Sequence, residues 1–283
     1  MRILIRTSRT AIWARRIAGL SLPLVIIPVF LHRKLIIDPD RFLLVELVAC
    51  GVAALALLLS VLALIRLWRS GDRGWDKAIL AFLISLVCLA PFAYGAYALY
   101  RNPSVTDVST NVADPVPLAV LSGTAPPVDP ARLAEIDTKF PNLRTRNYQA
   151  DVSDLYAMAL RQVNDRGWDI RDQRAPLSAA DTGEIDAVVT TWLGWRDEVG
   201  IRIIGTADGA TVDMRSASLG GGYSDLGANG GRIEEYLVAL DAAVSDQLRN
   251  GDDGDEASPA PPKPVAPSDP NFVFPADRPD DLY

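Results

Sequence analysis

The chain has 283 residues and a net charge of −7, distributed as twelve Lys/Arg against five Asp/Glu in residues 1–100 and sixteen against thirty in residues 101–283. A basic, apolar first part followed by an acidic soluble part repels phosphate backbones and excludes nucleic acid as a partner. The only cysteines, Cys50 and Cys88, lie in apolar runs, and the single histidine is His32, so residues 101–283 hold no disulfide, no thiolate or imidazole zinc site, and no Cys/His dyad or Ser/His/Asp triad.

The first hydrophobic run, Ile17 to Leu31 between charged flanks, contains Pro23 and Pro28. It reaches across a bilayer when Ile12 and Trp13 extend it and Arg15 and Arg16 snorkel towards headgroups. A cleaved signal peptide is the competing reading, but Leu31-His32-Arg33-Lys34 offers no small-x-small site, which favours retention. The second run, Phe42 to Leu67, is interrupted only by Glu46, and at about 1.5 Å per residue it exceeds the ~30 Å hydrocarbon thickness. The third, Ala78 to Tyr100, is free of charge, is kinked at Pro91 and ends in Tyr94, Tyr97 and Tyr100, suited to the aromatic belt. About three transmembrane helices, 12–31, 42–67 and 78–100, are therefore expected, with the lipid bilayer as their partner. Glu46 near a helix end reads as a carboxylate reaching headgroup water, and His32 as a flank.

Arg2, Arg6, Arg9, Arg15 and Arg16, with Arg66, Arg69, Arg73 and Lys77, outnumber Arg33, Lys34, Arg41 and Arg101 on the opposite side. This bias places the N-terminus in the cytoplasm and the soluble part outside. Arg exceeds Lys by 24 to 4, a mark of GC-rich coding and a weak pointer to a bacterial source, hence to an inner membrane with a periplasmic domain.

Residues 102–130 carry six prolines and read as an extended linker or wrap. A compact domain follows over 131–249. Asp151 or Ser153 caps a helix bearing Leu155, Met158, Ala159 and Val163 that Gly167 stops. Strands are expected at Trp168–Gln173, Ile185–Trp192, Val199–Thr206 and Ala210–Ser216, the last two joined by the turn Ala207-Asp208-Gly209. A last helix from about Gly230 to Leu248 has Ile233, Leu237, Leu240 and Val244 at helical spacing. The expected fold is α+β, an antiparallel sheet with two helices on one face. Residues 250–283, with eight prolines and eight acidic residues, read as a disordered tail, and Asn271–Pro275 reads as an unstructured end ahead of the alternative, a short linear motif for a partner protein.

Between the last strand and the last helix, residues 212–233 are rich in glycine and serine. Their backbone N–H groups near a helix start, with side chains of Arg215, Ser216, Ser218, Asp225, Asn229 and Arg232, are compatible with an anion pocket. The loop matches neither the phosphate-loop nor the dinucleotide pattern. The structural reading weighs more: Asp225 or Asn229 caps the helix, glycines supply positive φ, and Arg215 and Arg232 pair with Asp225 and Asp213 or Glu235. Arg215-Ser-Ala-Ser218, Ser224-Asp-Leu-Gly227, Asn229 and Arg232-Ile233, with Asp107-Val-Ser-Thr110, Asp114-Pro115 and Trp195-Arg-Asp197-Glu198, resemble the signature of the domain of unknown function 1499 family over roughly residues 103–248. The chain departs from it at Leu219 and Gly230, where arginine is common. The resemblance implies membrane attachment and carries no activity or cofactor. Adjacent Asp197 and Glu198 are a second constellation, able to share a divalent cation or act as general acid, though more often a solvated turn. Three classes remain: a tethered binding or assembly module, a hydrolase using Asp197, Glu198 and Arg215, and a structural envelope protein.

Overall fold

A computed structural model describes residues 7–121, 130–220 and 222–256. The chain forms two compact units, Met1–Val244 and Ser245–Tyr283. In the second, residues 245–256 complete the last helix, and Arg249 donates to the Asp246 carboxylate at 2.7 Å. The acidic stretch beyond, with Asn271–Pro275, lies outside the described residues.

Three helices open the first unit: α1 (Arg9–Arg33), α2 (Pro39–Ser70) and α3 (Trp75–Arg101). Each is long and apolar enough to cross a membrane. Pro23 and Pro28 do not interrupt α1, which therefore reaches beyond the apolar run between its charged flanks. The helices meet along small residues. Ala11, Ala14, Ala18 and Ser21 of α1, Ala49, Ala53, Ala56, Ser60 and Ala63 of α2, and Ala78, Ala81, Ser85 and Cys88 of α3 are all buried. Alternating spacings of three and four keep such a seam on one face, and small side chains let backbones approach where lipid supplies no hydrophobic drive. The seam hydroxyls of Ser21, Ser60 and Ser85 donate to carbonyls of their own helices, so none is left unsatisfied.

The soluble part contains β1 (Asp107–Ser109), α4 (Pro130–Lys139), β2 (Arg146–Tyr148), α5 (Val152–Asp165), β3 (Asp169–Arg174), β4 (Thr182–Thr190), β5 (Arg196–Thr206), β6 (Gly209–Ser218) and α6 (Ala228–Glu256). All strand pairings are antiparallel, in the order β1-β6-β5-β4-β3, and β2 shares the β6 edge with β1. The expected helix start is confirmed at Asp151, whose carboxylate accepts from Ser153 N at 2.7 Å. Ala207-Asp208 is the two-residue turn of the β5–β6 hairpin. Residues i and i+2 of a strand share a face, and one face carries Ile185, Ala187, Val199, Ile201, Ile203, Val212 and Met214 under Leu155, Ala159 and Val163 of α5 and Ile233, Tyr236, Leu237 and Leu240 of α6. The α+β layering is as expected. Three elements are additional: α4, β2, and β1 within the 102–130 segment, all too short to announce themselves by periodicity.

The opposite sheet face is charged, and the extended segment 110–121 covers it with Val116 and Leu118 buried. This stretch wraps the domain as part of its fold; residues 122–129 lie outside the described residues.

The sheet also rests on the helix ends. His32 Nδ1–H donates to Leu193 O at 2.9 Å, and Arg33 donates to Trp192 O at 3.0 Å, both in the β4–β5 connection. Gly194 has φ of +95°, and a Cβ there would stand 2.8 Å from Arg33 Cα, so backbone meets backbone. The His32 ring stacks on Phe42 of α2 at 4.5 Å and meets Trp195 edge-on at 4.9 Å. At the end of α3, Asn102 donates to both Ala98 O and Leu226 O at 2.9 Å. All three helices thus touch either the β4–β5 connection or the β6–α6 loop. His32 is accordingly a buried docking residue rather than the flank read from sequence. Glu46 is also enclosed among the helices, and its Oε1 has no hydrogen-bond partner, at odds with a carboxylate in headgroup water.

Candidate functional site

The residues singled out in the β6–α6 region divide between the two sheet faces by strand alternation. Ser216 and Ser218 point to the helix side, Arg215 to the charged side. On the helix side Arg232, one turn into α6, donates to Asp197 Oδ2 at 2.6 Å, to Ser216 Oγ at 2.8 Å and to Asn229 Oδ1 at 2.7 Å. Ser218 donates to the other Asp197 oxygen at 2.8 Å. Ser216 donates to Asn229 Oδ1 at 2.6 Å, and Asn229 Nδ2 donates to Ser218 Oγ and to Thr106 O, both at 3.1 Å. Both terminal nitrogens of Arg232, both serine hydroxyls and the Asn229 amide are hydrogen-bonded, as a buried polar network favours. Asp225 stands apart as the cap of α6, accepting from Gly227 N and Asn229 N at 2.8 Å each. Burial pushes its carboxyl upward, against the lowering effect of those two N–H groups.

On the charged face Arg215 makes a two-pronged contact with Asp107 of β1, Nε at 3.0 Å and Nη2 at 2.7 Å, and gives Nη1 to Val116 O at 3.2 Å. The planar fork that matches a carboxylate is particular to arginine. Asp213 accepts from Arg202 at 3.1 Å, from Thr110 at 3.2 Å and from Thr145 at 2.5 Å. The sequence thus foretold paired arginines but misassigned the carboxylates: the partners are Asp107 and Asp197, not Asp225, Asp213 or Glu235. Asp107 lies on β1, an element the periodicity did not show, which is why it was missed; Asp197 was in view only as half of an adjacent acidic pair.

That acidic pair does not act as one. Asp197 and Glu198 are neighbours on β5 and project to opposite faces. Glu198 is fully buried on the charged side, where its two oxygens accept from Val120 N and, at 2.7 Å, from Leu121 N. Beside it Asp186 accepts from Ala119 N at 3.1 Å, while its other oxygen is buried without a hydrogen-bond partner. Burial, with a smaller push from Glu198, raises the Asp186 carboxyl to about 7. No group of three or more His, Cys, Asp or Glu side chains suited to a metal occurs among the described residues.

At Gly230, one of the two positions where the sequence departs from the pattern it resembles, a Cβ would stand 2.5 Å from the Phe140 ring. The departure therefore has a steric counterpart: Phe140, buried at the end of the α4 connection, occupies the space a side chain would need.

Arg215→Met should destabilise the domain by ~3–5 kcal/mol, because Asp107 would be left charged and part-buried. Urea unfolding of the full chain in detergent, with and without phosphate or anionic lipid, reads this. A neutral effect in the free protein combined with loss of a ligand-induced shift would support the anion pocket instead.

Asp186 gives a pH dependence. Between the ordinary carboxylate value of ~3.9 and about 7, the folded chain holds a proton that the unfolded chain has released. Its contribution to stability is therefore complete at low pH and lost as pH rises through about 7. Melting temperatures at pH 5 and pH 8 should differ less in Asp186→Asn than in the parent; equal differences would contradict this assignment.

In comparison with known families, residues 109–240 fit the family described as protein of unknown function (DUF1499). No curated protein and no solved structure matches the chain. The match takes in β5, β6, the loop and α6 as far as residue 240, including every residue of the Arg232 network except Thr106, so the soluble domain fits the DUF1499 family over this stretch.

Proposed function

We propose that this chain is a membrane-anchored, extracytoplasmic module of a bacterial inner membrane, N-terminus cytoplasmic, that works by binding or envelope assembly rather than by catalysis. The observation that carries the reading is how the signature side chains are used. Arg215 and Arg232 are each closed on a carboxylate, and the loop they hold touches the end of α3. Such residues brace the sheet against β1, the wrap and α6 and are not presented to a reactant.

The hydrolase alternative needs Asp197, Glu198 and Arg215 in one concave site. Asp197 faces α6 while Glu198 and Arg215 lie under the wrap, which speaks against it. The extracytoplasmic side rests on the basic residues at 66–77 between α2 and α3.

An exported-only reporter such as alkaline phosphatase, fused at Gly251, is expected to be active, and a fluorescent protein that matures only in the cytoplasm to be dark at the same position. The reverse pattern would overturn the orientation and, with it, the envelope role.

A further inference from the structure

A cleft of about 260 Å³ opens where the sheet meets the end of α1. Its floor is Val188 and Thr190 of β4; Arg196 of β5, Arg171 of β3, and Arg33 and Leu35 of the α1–α2 connection form its walls. Thr190 and Arg196 are directly paired across β4 and β5, so both project to the same face as Val188 and Glu198. Three arginines thus line a space only a few atoms wide. Asp169 is the one carboxylate lining it, and it is engaged by Arg171 at 2.5 Å, leaving an excess of two positive charges.

The cations are not used up by the protein. Arg33 commits one N–H to Trp192 O. Arg196 is part-buried, and its guanidinium has no hydrogen bond or ion pair among the described residues. This contrasts with Arg202, Arg215 and Arg232, each of which is paired with a carboxylate. A planar donor fork held in a cleft without an acceptor suits a phosphate or carboxylate brought from outside.

Position selects among such anions. Arg33 is the last residue of the α1 span, and Leu35 and Ile36 beside it are about two-thirds exposed. Trp192, whose carbonyl Arg33 holds, is 75 % exposed at the same height. At the matching end of α3, Tyr94, Tyr97 and Tyr100 are all exposed. Aromatic rings and apolar side chains standing open at a helix end mark the headgroup layer. A cleft there has acyl-like surface on one side and guanidinium groups on the other.

We propose that this cleft binds a phosphate group, and that its source is the headgroup of a membrane phospholipid, with Arg196 and Arg33 contacting the phosphate oxygens, Thr190 donating from its hydroxyl, and Leu35 meeting the glycerol and acyl region. The site is separate from the Arg215 and Arg232 networks, goes beyond the module reading above, and holds whichever side of the membrane the domain occupies.

Full-length protein in dodecyl maltoside, titrated with dihexanoyl phosphatidylglycerol, should show a melting temperature that rises with the logarithm of lipid concentration once the site fills. Dihexanoylglycerol, which lacks the phosphate, should give no such rise. Inorganic phosphate at equal concentration should give a much smaller one; an equal rise would keep the phosphate site and reject the lipid as its source. Because the Arg196 guanidinium has no partner among the described residues, Arg196→Gln should melt like the parent without lipid and bind it at least about tenfold more weakly. Arg196→Glu should abolish the shift. A parent protein with no saturable shift from lipid or phosphate, or an Arg196→Gln variant with unchanged affinity, would overturn the proposal. Neither result bears on the orientation of the domain, which the fusion reporters decide separately.

Discussion

The contact between Arg232 and Asp197 joins the first turns of the last helix to the sheet through a nearly buried ion pair. Asp197 lies near the start of β5 and Arg232 one turn into α6, so this ion pair ties the last helix to the sheet whose core face it covers. Two nearly buried charges cost several kcal/mol to remove from water, and only a complete set of hydrogen bonds makes the arrangement tolerable. Ser216, Ser218 and Asn229 complete it: Ser218 fills the second Asp197 oxygen, and Asn229 Oδ1 and Ser216 Oγ take the other guanidinium arm. Asn229 also reaches Thr106 O, which connects the network to the segment leaving the membrane.

The other face of the sheet repeats the logic with a different cover. Arg215, Arg202, Asp213, Glu198 and Asp186 would be a solvated surface on an open sheet; here the wrap from residue 110 to 121 encloses them, and its own backbone supplies partners. Val116 O takes the third Arg215 donor, and the N–H groups of Ala119 and Leu121 reach the two carboxyl groups. An extended segment has no helix or ladder to satisfy its backbone, so a charged sheet face is a fitting bed for it. The exceptions on this face are one oxygen of Asp186 and Nε of Arg202, both buried without a hydrogen-bond partner, and burial raises the Asp186 carboxyl to about 7.

Much of this was legible in sequence, and the failures have physical causes. The three spans, the β5–β6 turn and the two long core helices follow from hydropathy, turn chemistry and helical spacing, all local signals. The small-residue seam at Ala49, Ala53, Ala56, Ser60 and Ala63 was legible too, since its spacing of three and four is written in the chain, but small residues are easily lost among leucines. Alternation alone would have separated Asp197 from Glu198 once β5 began before them. The pairing of Arg215 with Asp107 was not legible: the two stand 108 positions apart, and β1 has only three residues. The docking of His32 beneath Trp195 belongs to the same class, since it joins a helix end to a hairpin tip far along the chain. Long-range partners of charged residues depend on topology, which periodicity does not encode.

The central claim is that Arg232 and Asp197 act as one buried unit that sets α6 on the sheet. A double-mutant cycle on the full chain in detergent, comparing Asp197→Asn, Arg232→Met and the double variant by urea unfolding, tests it most directly. A buried coupled pair predicts that the double variant is more stable than the sum of the single effects implies, by at least about 1.5 kcal/mol. Additive effects, with a coupling within about 0.3 kcal/mol of zero, would contradict the account.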